Sequence, residues 1–254
     1  MKIRLSILIP LILFLIMAHG VRAATPLYEN SIVSTDFDFI LDSDPNALLS
    51  VRFVGLSQQE MPDCRNDELF SKAYIFQTTY QDHTRVQIWA HQDFGNQETA
   101  ENYVKKLADA IGQQPHFNRV ILNHVVLHKG DETAFAEEEG RFFIIYSENM
   151  DTRIRNHDLQ ETVFHECAHV AFESAHAEAP AWRKAQQADA GFITAYAAQH
   201  PLKEDLPESA LFAYVLLNYP GRLDNDVEKS VQLQMPNRLT YFSALPGFRK
   251  HQSQ

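Results

Sequence analysis

Apolar and polar residues alternate through much of the first third of this 254-residue chain, and apolar residues recur at helical spacing through most of the remainder. Residues 48–56 and 73–80 are strand-like, and the polar quartet Gln81, Asp82, His83 and Thr84 turns the chain into residues 85–91, which predicts a hairpin. Residues 27–94 therefore read as β-rich. Residues 99–111 bring Tyr103, Leu107, Ala108 and Ile111 onto one face of a helix. Residues 120–127 then read as a buried strand and residues 141–148 as another, followed by a loop of about ten residues and a further helix.

That last helix carries the chemistry. Uncharged residues flank His165, Glu166 and His169 on both sides in an HExxH arrangement. Positions four apart on a helix lie one above the other, so both imidazoles reach one metal ion while Glu166 points toward its open side. The chemistry implied is zinc-activated water attacking a peptide carbonyl. Asp158 is placed to cap the helix, and Glu161 three residues on completes a capping-box pattern. Enzymes of this kind set an antiparallel edge strand above the active-site helix, where a peptide adds as a further strand, and residues 143–147 are the candidate.

A third ligand must come from elsewhere. The metzincin pattern requires Gly and His seven and ten residues after the first ligand. Here those positions are Phe172 and Ala175, with His176 one residue too far. A gluzincin takes a Glu from a following helix, and residues 202–216 offer Glu204 and Glu208, four apart on one face. Pro207 belongs in a first turn, which puts Glu204 near the N-cap and Glu208 one turn in. Either acid can be the ligand, with the other orienting an imidazole or supporting the helix dipole.

Composition adds the setting. Lys2 and Arg4 precede an apolar run over residues 5–18, and Val21, Arg22 and Ala23 present a signal-peptidase site, so cleavage after Ala23 is expected. Residues 1–23 hold three basic side chains and no acid, which leaves 231 residues with 19 basic against 33 acidic groups, a net charge of −14. That balance disfavours nucleic acid and anionic membranes as partners and suits a secreted or periplasmic protein without a stable membrane anchor. Two cysteines, Cys64 and Cys167, are too few for a disulfide scaffold; they can pair with each other, but a buried thiol fits Cys167 better.

The stretch from His165 through Tyr214 resembles the catalytic core of the gluzincin group that contains anthrax-toxin lethal factor and the Pro-Pro endopeptidases. The residues concerned are the HExxH motif, Ala181-Trp182, Asp189, the run Phe192 to Ala197, and Glu204 to Ser209. In that group a Tyr lies seven residues before the ligand Glu; here Tyr196 lies eight before Glu204. The chain is also similar to a set of secreted bacterial proteins that share these segments together with a late Pro236-Asn237-Arg238-Leu239 and Tyr241-Phe242. The resemblance implies that His165, His169 and Glu204 bind zinc and that Glu166 is the general base. It also implies that Tyr196 donates to the oxyanion and that Glu208 orients His165 or His169.

The expected architecture is α+β and zincin-like: a β-rich region over residues 24–95 feeding a mixed β-sheet, then a catalytic domain over residues 96–254 with the HExxH helix and a C-terminal helical subdomain. The expected function is a secreted zinc endopeptidase acting on an extended peptide or protein. The alternatives are a non-catalytic module that grips such a strand and a hydrolase of cell-wall peptide crosslinks. His176 and His200 are further candidates for the oxyanion donor. His128 reads as exposed or as lining the cleft, and Glu137, Glu138 and Glu139 as a solvated loop.

Overall fold

The computed structural model describes residues 24–33 and 35–249, so the leader expected over residues 1–23 lies outside the described residues. Three strands open the fold: β1 (Leu48–Glu60), β2 (Phe70–Tyr80) and β3 (Arg85–His91). Helices α1 (Gln97–Gly112) and α2 (His116–Ile121) follow, then β4 (His124–His128), β5 (Phe135–Glu137) and β6 (Phe142–Tyr146). The rest is helical: α3 (Ser147–Arg155), α4 (Leu159–Phe172), α5 (Pro180–Ala188), α6 (Ala195–Gln199), α7 (Asp205–Asn218), α8 (Asn225–Gln234) and α9 (Pro236–Ala244). No helix among the described residues is long and apolar enough to cross a membrane.

The six strands form one mixed sheet in the order β1-β2-β3-β4-β6-β5, which makes the protein α+β. Pairing is antiparallel through β1, β2 and β3, parallel through β3, β4 and β6, and antiparallel between β6 and β5. The parallel β3–β4 pair crosses the boundary expected near residue 95, so strands from both segments share one sheet. The predicted hairpin is present. His83 takes a positive φ of 65°, and Asp82 Oδ1 accepts hydrogen bonds from the Thr84 amide and hydroxyl, which closes the turn.

Three sequence expectations are corrected. Residues 120–127 are not one strand: Pro115 caps the short helix α2, which sets Phe117 and Ile121 four apart toward the interior, leaves Val120 exposed and delays β4 to His124. Residues 147–155 are helix α3 rather than a strand end and loop, because Met150 and Ile154 lie one turn apart and both reach the core beneath the sheet. The strand at residues 143–147 is not an edge. All five residues of β6 are buried, with β4 on one side and β5 on the other, as its unbroken apolar run requires. The free edge on that side is β5.

Helix α4 lies between two apolar cores and is buried nearly all round, which its uncharged sequence permits. Val163, Cys167 and Val170 pack with α1 under the sheet, while Phe164, Ala168 and Phe172 pack against Phe212, Tyr214 and other side chains of the C-terminal helices. Cys167 is accordingly a buried thiol, Cys64 is an exposed one, and the two are not joined. Asp158 occupies the N-cap but makes no side-chain capping bond; its carboxylate binds Arg153 instead. Glu161 does not close a capping box either. It is fully buried, and its Oε1 accepts the Ile40 amide at 2.8 Å.

The C-terminal helices are tied together by Arg238, which is wholly buried. Its guanidinium binds Asp189 at 2.8 Å, the carboxylate of Asp205, the Ser209 hydroxyl and the Gly191 carbonyl. Removing the cation would strand two buried carboxylates, so Arg238→Gln is expected to lower stability by about 3–5 kcal/mol in urea denaturation; a loss below about 1 kcal/mol would contradict this account of the cluster.

Burial pushes the Glu161 carboxyl from its ordinary value of 4.5 up to about 8. An acid whose folded pKa is raised keeps its proton in the folded state while the unfolded chain has lost it. Stability is therefore highest below the unfolded value and falls as pH rises toward about 8. Glu161→Gln should remove this fall, gaining on the order of a few kcal/mol over wild type at pH 8 and little at pH 4. Parallel stability–pH curves for the two proteins would sink the assignment.

Candidate metal centre

Two helices supply the cluster. His165 and His169 leave α4 on the one stripe that neither core covers, and Glu204 stands at the N-cap of α7, which packs across α4. Pro207 lies in the first turn of α7, as its geometry demands, and Glu208 lies one turn into the helix. His165 Nε2 is 3.2 Å from His169 Nε2, and each of these nitrogens is 3.3 Å from Glu204 Oε2. The three atoms make a nearly equilateral triangle. A tetrahedral ion with bonds of about 2.0–2.1 Å spaces its ligand atoms about 3.3–3.4 Å apart, so the donor set fits zinc.

Each imidazole is held from behind. His169 Nδ1 is 3.1 Å from Glu173 Oε2, and His165 Nδ1 faces Glu208 Oε1 at 3.4 Å. An Nδ1 proton donated to an acid leaves Nε2 as a lone pair. Both Nε2 atoms converge on Glu204 Oε2, and neither that oxygen nor His165 Nδ1 has a hydrogen-bond partner among the described residues. Three potential ligand atoms this close together could hold a cation among them. The electrostatics agree. Burial opposes charge on His169, yet its bonds to Glu173 and Glu204 and the charges of Glu166 and Glu204 outweigh burial and push its pKa up to about 10. Burial likewise opposes charge on Glu204, but the two imidazoles hold its carboxyl well below the usual carboxylate range.

The triad opens into a cleft of about 1070 Å³. One wall is the β5 edge with the turn after it, and the other is formed by Asn30, Ile32 and Val33 and by Tyr196. Glu166 lines this cleft while 6 % exposed, and burial raises its pKa. Its carboxylate makes no hydrogen bond within the described residues, which leaves it available to a molecule in the cleft. Tyr196 reaches the same space from α6: its hydroxyl interacts with Glu204, and burial together with that carboxylate pushes its pKa up to about 12.

The structure thus brings together His165, Glu166, His169, Tyr196, Glu204 and Glu208. It leaves out the three histidines that the sequence also raised as candidates. His176 binds the Tyr241 hydroxyl at 2.6 Å, and His200 packs its ring edge-on against Tyr196; neither lines the cleft. His128 is neither exposed nor in the cleft: it is buried, with Nε2 3.0 Å from the Pro62 carbonyl oxygen, because the loop after β1 covers the end of β4. Glu137 and Glu139 are exposed, as expected of a solvated stretch, and Glu138 and Glu139 lie in a turn. Glu137 belongs to β5, all three line the cleft, and Glu138 accepts the Ser174 amide at 2.7 Å.

Two residues of the site were missed in the sequence. Glu173 sits four after His169, so the helical spacing that linked the two histidines also marks it. Ser31 gives no local signal: its amide and hydroxyl bind the two oxygens of Glu208 at 2.7 and 2.9 Å across 177 positions. Comparisons of the chain with protein families, with curated proteins and with solved structures find no match.

Proposed function

We propose that this chain is a secreted, zincin-like zinc endopeptidase of the gluzincin type. The observation that carries the reading is the convergence of His165 Nε2, His169 Nε2 and Glu204 Oε2 at tetrahedral ligand spacing, with an acid behind each imidazole. His165, His169 and Glu204 would hold the ion. When bound, zinc supplies Lewis acidity, which activates a water molecule and polarises the scissile carbonyl. Glu166, buried and unpaired beside the triad, takes the proton from the attacking water and delivers it to the leaving amine. Its desolvation favours that service, since a raised pKa makes the carboxylate a better base.

Tyr196 donates from the opposite wall to the carbonyl oxygen as negative charge develops there. Glu208 and Glu173 keep the two rings in the tautomer and orientation that ligation requires. The free edge of β5 suits an extended peptide, which gains backbone hydrogen bonds by adding to the sheet. Glu132, Glu137, Glu138 and Glu139 beside that edge outnumber Arg153 and Lys203 in the cleft lining and favour peptides with basic side chains, since an excess of one sign of charge concentrates the opposite sign.

Elemental analysis should find one zinc per purified chain. His165→Ala and Glu204→Ala should each abolish that stoichiometry, whereas Glu208→Ala should keep the ion with affinity lower by on the order of ten- to a hundredfold. Undiminished zinc in His165→Ala would contradict the site, and loss from Glu208→Ala with retention in Glu204→Ala would exchange the roles of the two acids.

In a broad peptide library the wild type should cleave, with basic residues enriched near the cut. Glu166→Gln should keep its zinc and fold while losing about a hundred- to ten-thousandfold in turnover, since an amide cannot accept the proton. Cleavage at wild-type rate by that variant removes Glu166 from the mechanism. Capture of peptides without cleavage by the wild type makes the protein a binding module instead.

A further inference from the structure

The segment before the sheet is a strap rather than a tail. It runs beside the chain at residues 190–196: the Ala24 amide donates to Ala190 O, the Leu27 amide to Ile193 O, and the Ala195 amide to Tyr28 O. Tyr28 pairs with Thr194 in a parallel bridge, and its ring stacks on Phe212 of α7 at 5.4 Å. The Gln234 side chain donates to both Thr25 O and Phe192 O, clamping strap and neighbour together. Asn30 Oδ1 then accepts the amides of Ile32 and Val33 and turns the chain at the cleft mouth.

Ser31 stands at the centre of that turn, fully buried. Its amide donates to Glu208 Oε2 at 2.7 Å and its hydroxyl to Glu208 Oε1 at 2.9 Å, one donor for each carboxylate oxygen. A carboxylate gripped at both oxygens cannot rotate about its terminal bond without breaking a hydrogen bond in a buried place. The oxygen that Ser31 Oγ holds is the one that faces His165 Nδ1. The same strap also seats Tyr196, whose amide donates to Glu29 O at 2.9 Å.

We propose that Ser31 is a positioning residue for the metal centre, acting through Glu208 on the orientation of His165, and that residues 24–33 are a structural part of the site. The inference rests on the zinc reading above. Ser31 touches neither ligand atoms nor substrate. It restricts Glu208 to the rotamer whose Oε1 faces His165 Nδ1, so the strap contributes to metal affinity although it supplies no ligand.

The test is chelator-competition titration of the metal-free mature chain with zinc, together with the visible spectrum of the cobalt-loaded protein. Ser31→Ala should weaken zinc binding about tenfold, the lower end of the range for losing an outer partner of a ligand, and should shift the cobalt bands. Ser31→Thr, which keeps the hydroxyl, should restore both. In a Glu208→Gln background the further substitution Ser31→Ala should change zinc affinity by less than about twofold, because the path it acts through is already broken.

A second measurement uses the unaltered protein: the Ser31 amide resonance should move on zinc loading and should stop responding in Glu208→Gln. An unchanged affinity and cobalt spectrum in Ser31→Ala, a full tenfold effect persisting in the Glu208→Gln background, or a Ser31 amide indifferent to zinc would each overturn the proposal. If the wild-type chain binds no zinc, the metal reading itself fails and this inference falls with it. Zinc bound normally by wild type and by Ser31→Ala overturns the inference alone.

Discussion

The start of α7 buries the carboxylates of Asp205 and Glu208 and half-buries that of Glu204 at its N-cap, and much of the tertiary structure is arranged around partners for them. An unpaired carboxylate in an apolar interior is among the costliest groups a fold can hold, so each must be met by a donor or a positive charge. Glu208 is met by Ser31 from the strap and by the His165 ring from α4. Asp205 is met by Arg238 from α9, by Gln186 from α5 and by Ser209 from its own helix. Burial still raises the pKa of Asp205, with Arg238 opposing it. Glu204 alone faces two imidazole nitrogens with no donor assigned to its inner oxygen. Of the three, Glu204 is the one whose surroundings are the two imidazoles and the Tyr196 hydroxyl rather than an arginine or a backbone amide.

This arrangement explains why the helix that carries the histidines is so apolar. Helix α4 must press against the sheet core on one side and the C-terminal core on the other, which leaves one narrow stripe for chemistry. His165, Glu166 and His169 occupy that stripe, and Glu173 extends it into the π-helical turn that ends the helix. Groups held between two packed cores keep their rotamers, and a site of this kind needs such rigidity. The cleft is also lined by a three-residue edge strand and the turn after it, which lie outside both cores.

The Arg238 cluster and the cluster of His165, His169 and Glu204 are neighbours through consecutive residues, since Asp205 follows Glu204. Arg238 therefore acts on the site indirectly by fixing the start of α7, the point from which Glu204 projects. The segments Asp189, Glu204 to Ser209 and Pro236 to Leu239, noted together in the sequence, are brought together here by one guanidinium and the charges around it. Their joint presence in a sequence is thus a statement about packing.

Local periodicity was enough to place β1, β2, β3 and α1, because each forms with its neighbours in sequence and shows its period within a dozen residues. It also placed His165, Glu166 and His169 on one stripe and put Glu204 and Glu208 at the start of a helix, since i and i+4 spacing and proline placement are properties of the chain alone. It placed the strand at residues 141–148 but misjudged residues 120–123 and 147–155, where short apolar runs fit strand and helix equally and only the packing of Phe117, Ile121, Met150 and Ile154 chooses. It took β6 for an edge because no local pattern tells which strand will cover which. Ser31 lay beyond reach for the same reason: its role exists only once 177 residues have folded back to set it against Glu208. Ligand types and their spacing are written in the chain. Which acid faces both imidazoles, which one stands behind, and what holds each in place depend on contacts between distant segments, and those the tertiary structure decides.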